Sequence, residues 1–340
     1  MASVAPPSSK LIYIDDSMPG ISRKRAGKGW AYYDPQGKLI RDAAEKKRLN
    51  AIALPPAYTD EWFCPASNGH ILATGYDARG RKQYRYHPDF RAMREGEKFD
   101  GCAKFGNLLP LVRKRVEDDL KCRTLSRERA VASVVRLLDL GALRVGNESY
   151  AKSNKSFGAT TLRQRHAEVT GRTLKLRYRG KSGKDRVVTL TDGRLARVIR
   201  RMQDLPGQHL FKYEDGDTMQ AVSSDDVNAY LRETMGADFT AKNFRTWHAS
   251  VMAYSQIASA SAPLTIKSVI ESVAAHLGNT AAVTRKSYIH PGVIALIDDQ
   301  EGFRAKLRLP RSTRWMTREE RGLIALLEEG PEAQSYLTAA

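Results

Sequence analysis

Apolar positions repeat with two different periods in this chain, and the change of period divides it. From Leu11 to about His87 they come in short runs: Leu11-Ile12-Tyr13-Ile14, then residues 29–34, 70–75 and 81–87. Pro19-Gly20, Pro35-Gln36-Gly37 and Asp77-Ala78-Arg79-Gly80 separate these runs, and such residues break regular backbone and close turns. The pattern predicts short strands with one helix over 41–53 among them. After Phe90 the period becomes that of a helix. Leu109, Val112, Val116 and Leu120 fall on one face, as do Val131, Val134, Val135, Leu137 and Leu138.

A second β segment interrupts the helical part over 167–190. Its predicted strands, 173–178 and 186–190, are joined by Gly180-Lys181-Ser182-Gly183-Lys184-Asp185, whose glycines mark a hairpin tip. Helices then resume over 227–235, 242–258, 264–276 and 317–329, the first capped by Ser223 or Ser224 with Asp225 and Asp226 in its opening turn. The predicted fold class is α+β. A small mixed-β N-terminal domain, residues 1–90, precedes a larger, mainly helical catalytic domain, residues 91–340, that carries the hairpin, with the boundary near 88–95.

Charge narrows the partner. Among 340 residues, 56 Lys and Arg stand against 38 Asp and Glu, a net charge of +18, which favours a polyanion because each cation set on a phosphate releases condensed counterions. Cys64, Cys102 and Cys122 form no CxxC pair and have no histidine at zinc-ligand spacing, so they are expected to be reduced thiols. Residues 1–9 are small and rich in Pro and Ser with no apolar segment of a secretory signal, and no apolar run reaches the length of a membrane span. The expected setting is the cytoplasm, in association with the nucleoid.

Breaking a phosphodiester needs an in-line nucleophile, charge neutralisation on the non-bridging oxygens and a proton for the leaving oxygen. Asp15-Asp16, Asp118-Asp119 and Asp225-Asp226 suit a turn, a helix surface and a cap better than a metal site, so a route without metal is expected. Arginine suits such a route because its fork binds phosphate bidentately and keeps its charge. Arg144 follows an apolar helix and precedes Gly146, Lys242 and Arg245 lie one turn apart on one helix, and Lys181 stands on the predicted hairpin tip. Tyr288, beside Arg285 and Lys286, is the candidate nucleophile; a phenol with an ordinary pKa near 10 needs such cations to attack at neutral pH. In the run from Arg81 to His87, Gln83 and Arg85 point to one face of a strand, and Lys82, Tyr84 and Tyr86 to the other. Basic and aromatic residues so interleaved suit a surface that reads a DNA groove. Gly180-Lys181-Ser182 is not a nucleotide-binding loop, since residue 175 is Lys rather than Gly and the segment joins two strands.

Taken in order, Arg144-Val145-Gly146 with Tyr150, Gly180-Lys181 on a hairpin, Lys242-x-x-Arg245, and Asn279 nine residues before Tyr288 resemble the type IB DNA topoisomerases in their short, poxvirus-like bacterial form. The likeness spans roughly residues 70–295, and Arg81-Lys82-Gln83-Tyr84-x-Tyr86 is similar to the DNA-reading strand of that family. The resemblance implies a C-shaped clamp on duplex DNA that relaxes supercoils through a 3′-phosphotyrosyl bond, strand rotation and religation, with neither ATP nor metal. It implies that Tyr288 attacks phosphorus, Arg144 and Arg245 hold the non-bridging oxygens, and Lys181 protonates the 5′-oxygen. Lys242 becomes an auxiliary contact, and Arg81, Gln83, Tyr84, Tyr86, Asn147 and Tyr150 become DNA-binding residues. In most of the family a histidine makes the remaining phosphate hydrogen bond. Here Asn279 holds that position and His276 is the second choice; an amide donates the same neutral bond but transfers no proton. No small-molecule cofactor or membrane is implied, and a monomer suffices. The alternatives are a tyrosine site-specific recombinase, whose usual His-x-x-Arg and Leu-Gly-His stand here as Lys242-x-x-Arg245 and Leu277-Gly278-Asn279, and a non-catalytic DNA-binding clamp.

Overall fold

The computed structural model describes residues 11–338, so the N-terminal stretch read above as carrying no signal sequence lies outside the described residues. Two compact units are distinguished, Met1–Glu97 and Lys98–Ala340. The first contains strands β1 (Ser22–Ala26) and β2 (Gly29–Tyr33), helix α1 (Ala43–Ala51), and strands β3 (Thr59–Phe63), β4 (Ile71–Tyr76) and β5 (Lys82–Tyr86). β1 and β2 form an antiparallel hairpin, and β3, β4 and β5 form an antiparallel sheet in that order.

One expectation for this unit needs correction, and two of its strands were not expected. Leu11 to Ile14 is not a strand: Ile12 makes one parallel bridge to Gly69, and Ile14 donates its amide to His70 Nδ1. Conversely, β1 (SRKRA) and β3 (TDEWF) are strands that carry no clean alternation of apolar residues. Burial explains both. The unit has a small core of Ile21, Tyr32, Leu49, Leu54, Phe63 and Ala73, and part of the packing is done by a buried arginine. Arg23 pairs with Glu61 at 2.6 Å, donates to the carbonyls of Leu54 and Pro55, and lies 3.9 Å from the centre of the Trp30 ring. A hydropathy pattern assigns such a residue to the surface.

Helix α2 (Pro88–Lys121) runs without a break through the expected domain boundary. Beyond it come α3 (Arg127–Gly141), α4 (Glu148–Asn154), β6 (Ala167–Thr170), β7 (Thr173–Arg179), β8 (Asp185–Thr191), α5 (Gly193–Gln203), β9 (Lys212–Asp215) and β10 (Thr218–Ala221). The chain ends with α6 (Ser224–Met235), α7 (Ala241–Ser259), α8 (Ile266–Leu277), α9 (Ala281–Ser287), α10 (Pro291–Ala295), α11 (Gln300–Lys306), α12 (Arg318–Glu329) and α13 (Ala333–Thr338). The expected hairpin is a three-stranded antiparallel sheet, β6-β7-β8, and β9-β10 is a second hairpin with no counterpart in the sequence reading. Four residues per strand in β6, β9 and β10 are too few to show a period.

Helix ends carry side-chain caps, that of α6 as expected. Ser223 caps α6 through a capping box with Asp226, and Thr317 caps α12 through one with Glu320. The helical periodicity also marks the core, since Leu109, Val112, Val116, Leu120, Val131, Val134, Val135, Leu137 and Leu138 are all buried. Helix α12 is part of that core. Its Leu323 and Ile324 are buried, and its Glu320 accepts from Arg113 on α2 at 2.7 and 2.8 Å and from Trp247 Nε1 on α7 at 3.3 Å. Arg113 also grips Asp139 of α3 with two bonds of 2.9 Å. Three helices are thus tied through one guanidinium, and removing it strands two buried carboxylates. Arg113→Met is expected to lower unfolding free energy by about 3–5 kcal/mol, read from urea midpoints.

Candidate active site

Three helix ends supply the groups predicted to work together. Helix α3 stops at Ala142, whose φ of 48° is left-handed and whose amide closes the last turn on the Leu138 carbonyl at 3.0 Å. The next residues, Arg144 to Gly146, are pinned by residues 158–160: the Ala159 amide bonds the Arg144 carbonyl at 2.8 Å and the Thr160 amide that of Val145 at 2.7 Å. Gly158 permits this approach, since a Cβ there would lie 2.6 Å from the Arg144 oxygen.

Helix α8 ends in a similar way. Gly278, with φ of 64°, bonds back to the Ala275 carbonyl at 3.2 Å, and Asn279 bonds to that of Ala274 at 3.0 Å. This double closure fixes the residue after the glycine, and so aims the Asn279 side chain. Arg186 of β8 braces the turn by donating to the carbonyls of Ala275 (3.4 Å) and His276 (2.7 Å), with its guanidinium where a Cβ on Gly278 would stand. Sequence reading missed Arg186 because its position in a strand alternation marks nothing but a surface cation.

Arg245 projects from α7 and is 3% exposed. It donates to the Ala142 carbonyl at 2.5 Å and to that of Leu277 at 3.1 Å, so one guanidinium joins the ends of α3 and α8. Satisfying these helix-end carbonyls is the work of Arg245, not of the neighbouring Arg144. Arg144 instead donates to Asn279 Oδ1, and Arg245 reaches the same oxygen at 3.3 Å. Two donor-only groups on Oδ1 orient the amide, which leaves Nδ2 buried with no hydrogen-bond partner among the described residues. A buried amide donor left unpaired costs about 1–3 kcal/mol, so this atom stands ready for an acceptor from outside the described residues.

Tyr288 lies just past the end of α9, half-buried, with the Arg245 guanidinium carbon 5.0 Å from its ring centre. Burial disfavours its phenolate, but contact with Arg245 and the charges of Arg144 and Lys242 outweigh burial and hold the phenol below the ordinary value of 10. Desolvation and the neighbouring Arg144 bring Arg245 down to about 10, so it remains a cation at neutral pH. Lys242 is exposed one turn before the buried Arg245, so the two do not form an equivalent pair. His276 is in the last turn of α8 with its side chain exposed, and partial desolvation together with the charges of Arg186 and Arg245 holds its imidazole below its usual pKa.

Lys181 is exposed on the short turn Lys181–Gly183 between β7 and β8, and Lys184, the next residue, is equally exposed. Asn147 caps α4 by accepting from the Tyr150 amide at 3.2 Å, and Tyr150 is 48% exposed. Within the first unit, Tyr84 and Tyr86 stack nearly parallel on the exposed face of β5, with ring centres 5.7 Å apart. Arg81 is ion-paired with Asp77, Gln83 donates to Asp77 at 3.1 Å and Arg85 to the Ala53 carbonyl at 3.1 Å. Among the described residues no group of three or more His, Cys, Asp or Glu is placed to hold a metal ion, and no helix is long and apolar enough to cross a membrane.

The amide at position 279 gives a direct test of this geometry. Asn279→Asp sets a carboxylate between Arg144 and Arg245, where it repels a phosphate and occupies both guanidinium groups, and is expected to slow DNA cleavage by about 10²–10³-fold. Asn279→His, which restores a ring N–H donor, is expected to stay within about tenfold of the parent in the same single-turnover cleavage assay.

Two family models match the chain: Eukaryotic DNA topoisomerase I, catalytic core, over residues 87–306, and Bacterial DNA topoisomerase IB, N-terminal domain, over residues 29–77. The chain is 30% identical over 301 residues to DNA topoisomerase 1B of Acanthamoeba polyphaga mimivirus, covering 84% of this chain and 90% of that one. DNA topoisomerase 1B of Vaccinia virus (strain Copenhagen) is 22% identical over 266 residues, 74% of this chain and 82% of the viral one. DNA topoisomerase 1 of Mycosarcoma maydis is 28% identical over 222 residues, 58% of this chain and 22% of that one. A solved post-cleavage complex of the XerH site-specific recombinase covers 57% of this chain and 50% of its own at a TM-score of 0.36 and 16% identity, a likeness too low to carry an argument. With a catalytic-core match over residues 87–306 and the mimivirus enzyme aligned along nearly its whole length, the chain belongs to the type IB DNA topoisomerases.

Proposed function

We propose that the enzyme relaxes supercoiled duplex DNA by attack of the Tyr288 oxygen on a backbone phosphorus. The observation that carries this reading is the convergence of Arg144, Arg245 and the unpartnered Asn279 Nδ2 beside the Tyr288 ring. These groups suit a phosphate whose non-bridging oxygens gain charge in the transition state. The phosphorus–tyrosine bond forms as the bond to the 5′-oxygen breaks. The leaving 5′-oxygen takes a proton, and the DNA is left with a 3′-phosphotyrosyl end and a 5′-hydroxyl.

The proton is assigned to the β7–β8 turn. Lys181 is the donor expected from sequence, and Lys184 is a second exposed ammonium on the same turn. A 5′-thiol leaving group needs no general acid, so alanine at the true donor slows cleavage of ordinary DNA while sparing a 5′-thio substrate. Alanine at the other lysine affects both substrates alike.

Torque in the supercoiled DNA then turns the broken strand, and the 5′-hydroxyl attacks the phosphotyrosine to reseal it. The energy of the broken bond is kept in the ester, so no ATP is consumed. Tyr288, Arg144, Arg245 and Asn279 all come from one chain, so one protomer is enough. In the first unit, the exposed Tyr84 and Tyr86 are proposed to meet DNA directly, with Arg81 and Gln83 held behind them through Asp77. In the second, Asn147 shapes the end of α4 that presents Tyr150.

The test is relaxation of a supercoiled plasmid in excess EDTA, followed by denaturation to trap the adduct. Relaxation with protein on the 3′ side of the nick and a free 5′-hydroxyl is expected. Absence of relaxation, or protein on the 5′ side, sinks the proposal. With a net charge of +18, activity is also expected to fall steeply as salt rises.

A further inference from the structure

Five backbone groups around Tyr288 have hydrogen-bond partners, and two side chains that the reaction scheme does not use supply three of these bonds. The amides of Tyr288 and Ile289 both close on the Thr284 carbonyl, at 3.1 and 3.2 Å. The Ser287 carbonyl, at the open end of α9, accepts from Lys98 Nζ of α2 at 2.6 Å. The Tyr288 carbonyl accepts from Ser250 Oγ of α7 at 3.4 Å, and the same hydroxyl takes the His290 amide at 2.9 Å. Ser250 is fully buried, and the Phe99 ring, beside Lys98, meets the His290 ring edge-on at 5.5 Å.

We infer that Lys98 and Ser250 are positioning residues that fix the backbone on both sides of Tyr288 and thereby aim its phenol at phosphorus. The inference rests on Tyr288 being the nucleophile. Residue 288 has left helical geometry, with φ of −134° and ψ of −38°, so the helix no longer dictates where its side chain goes. What replaces the helix is this set of side-chain bonds. Helix α7 carries Ser250 five residues after Arg245, so one rigid element sets both the cation against the ring and the backbone that bears the ring. Lys98 supplies the other side. An ammonium on a last-turn carbonyl is also the favourable charge for the negative end of α9. Both act here on the main chain, Lys98 through the Ser287 carbonyl and Ser250 through the Tyr288 carbonyl and the His290 amide. In-line attack is sensitive to errors of an ångström, so loss of either bond acts on the chemical step rather than on DNA affinity.

The experiment measures single-turnover formation of the covalent adduct on a duplex whose cleaved 5′ fragment diffuses away, together with DNA affinity and the burst amplitude that reports competent enzyme. Lys98→Ala and Ser250→Ala are each expected to slow the rate constant about 10-fold to 50-fold, with dissociation constant and amplitude within about twofold of the parent. Lys98→Arg, which keeps a cationic donor, is expected to recover most of the lost rate. A lysine that merely contacts DNA shifts affinity and its salt dependence, and one that merely supports the fold lowers amplitude. Either pattern, an unchanged rate, or an arginine variant as slow as alanine overturns the inference. Mapping the parent adduct to the peptide that contains Tyr288 is a separate arm. If the adduct lies elsewhere, the nucleophile assignment fails, independently of how the Lys98 variants behave.

Discussion

Tyr288→Phe is expected to bind DNA with nearly parental affinity and to form no covalent adduct. The substitution removes one oxygen and leaves the ring that lies 5.0 Å from Arg245, so packing and charge around the site persist. The lost oxygen is the proposed nucleophile; the other phenol near Arg245 and Arg144, that of Tyr178, is buried and has its pKa raised by that burial. Relaxation is expected to fall by at least about 10⁴-fold, the scale seen when a covalent nucleophile is removed from an otherwise intact site. Plasmid relaxation and denaturant-trapped adduct read the two consequences independently. Relaxation near the parental rate, or an adduct in the phenylalanine variant, excludes Tyr288.

The pH dependence of the parent follows from the same environment. With the phenolate as the proposed attacking species, cleavage is expected to accelerate with rising pH and to level off below pH 10, because the cations hold this phenol below its ordinary value. The acid side is therefore the slow side.

Arg245→Ala is expected to have the second large effect, with losses of two kinds. The catalytic loss is that of a buried cation facing the phenol and, on the proposed mechanism, the phosphate, and a decrease in cleavage of about 10³–10⁴-fold is expected. The leveling of the pH profile should also move to higher pH, since burial of the phenol persists while its first counter-charge is gone. The structural loss arises because Arg245 satisfies the carbonyls of Ala142 and Leu277, which end α3 and α8. Those carbonyls position Arg144 and Asn279, so lower stability and a misaimed site accompany the missing charge. Arg245→Lys separates the two. A single ammonium restores charge but not the fork that spans two helix ends, and recovery of the pH profile without recovery of most of the rate is expected. Full activity in the lysine variant contradicts the bridging role.

How much was legible in the sequence can be argued from particular elements. The long helical faces were legible, because Leu109, Val112, Val116 and Leu120 repeat over three turns and a run of that length defines its period. The cap at Ser223 was legible because a hydroxyl followed three residues later by a carboxylate is a local signal; Thr317, which caps α12 in the same way, was read only as the start of that helix. Strands β1 and β3 were not, since their inward positions are filled partly by Arg23 and its partner Glu61 rather than by apolar residues. In the site, Arg144, Arg245 and Tyr288 could be singled out as candidates from residue type and context, and Asn279 only through the family resemblance, but which of them hold the helix ends could not. Spacing along one helix suggested that Lys242 and Arg245 share a task, whereas one is exposed and the other buried.

The sequence by itself determined the repertoire: two stretches of different period, a strongly basic surface, a tyrosine among cations, and asparagine nine residues before it. Those are properties of short windows, and a window carries them whatever the rest of the chain does. Only the tertiary structure decided that Arg245 rather than Arg144 closes the helix ends, and that Arg186 braces the Asn279 turn. Only it decided that Lys98 and Ser250 hold the backbone on either side of Tyr288. Lys98 and Ser287 are 189 positions apart, and Arg144 and Asn279 are 135 apart. No local propensity reaches that far. Such contacts exist because burial of the helical core brings the ends of α3, α8 and α9 to one place, and the buried polar groups there must find partners in each other or in a substrate.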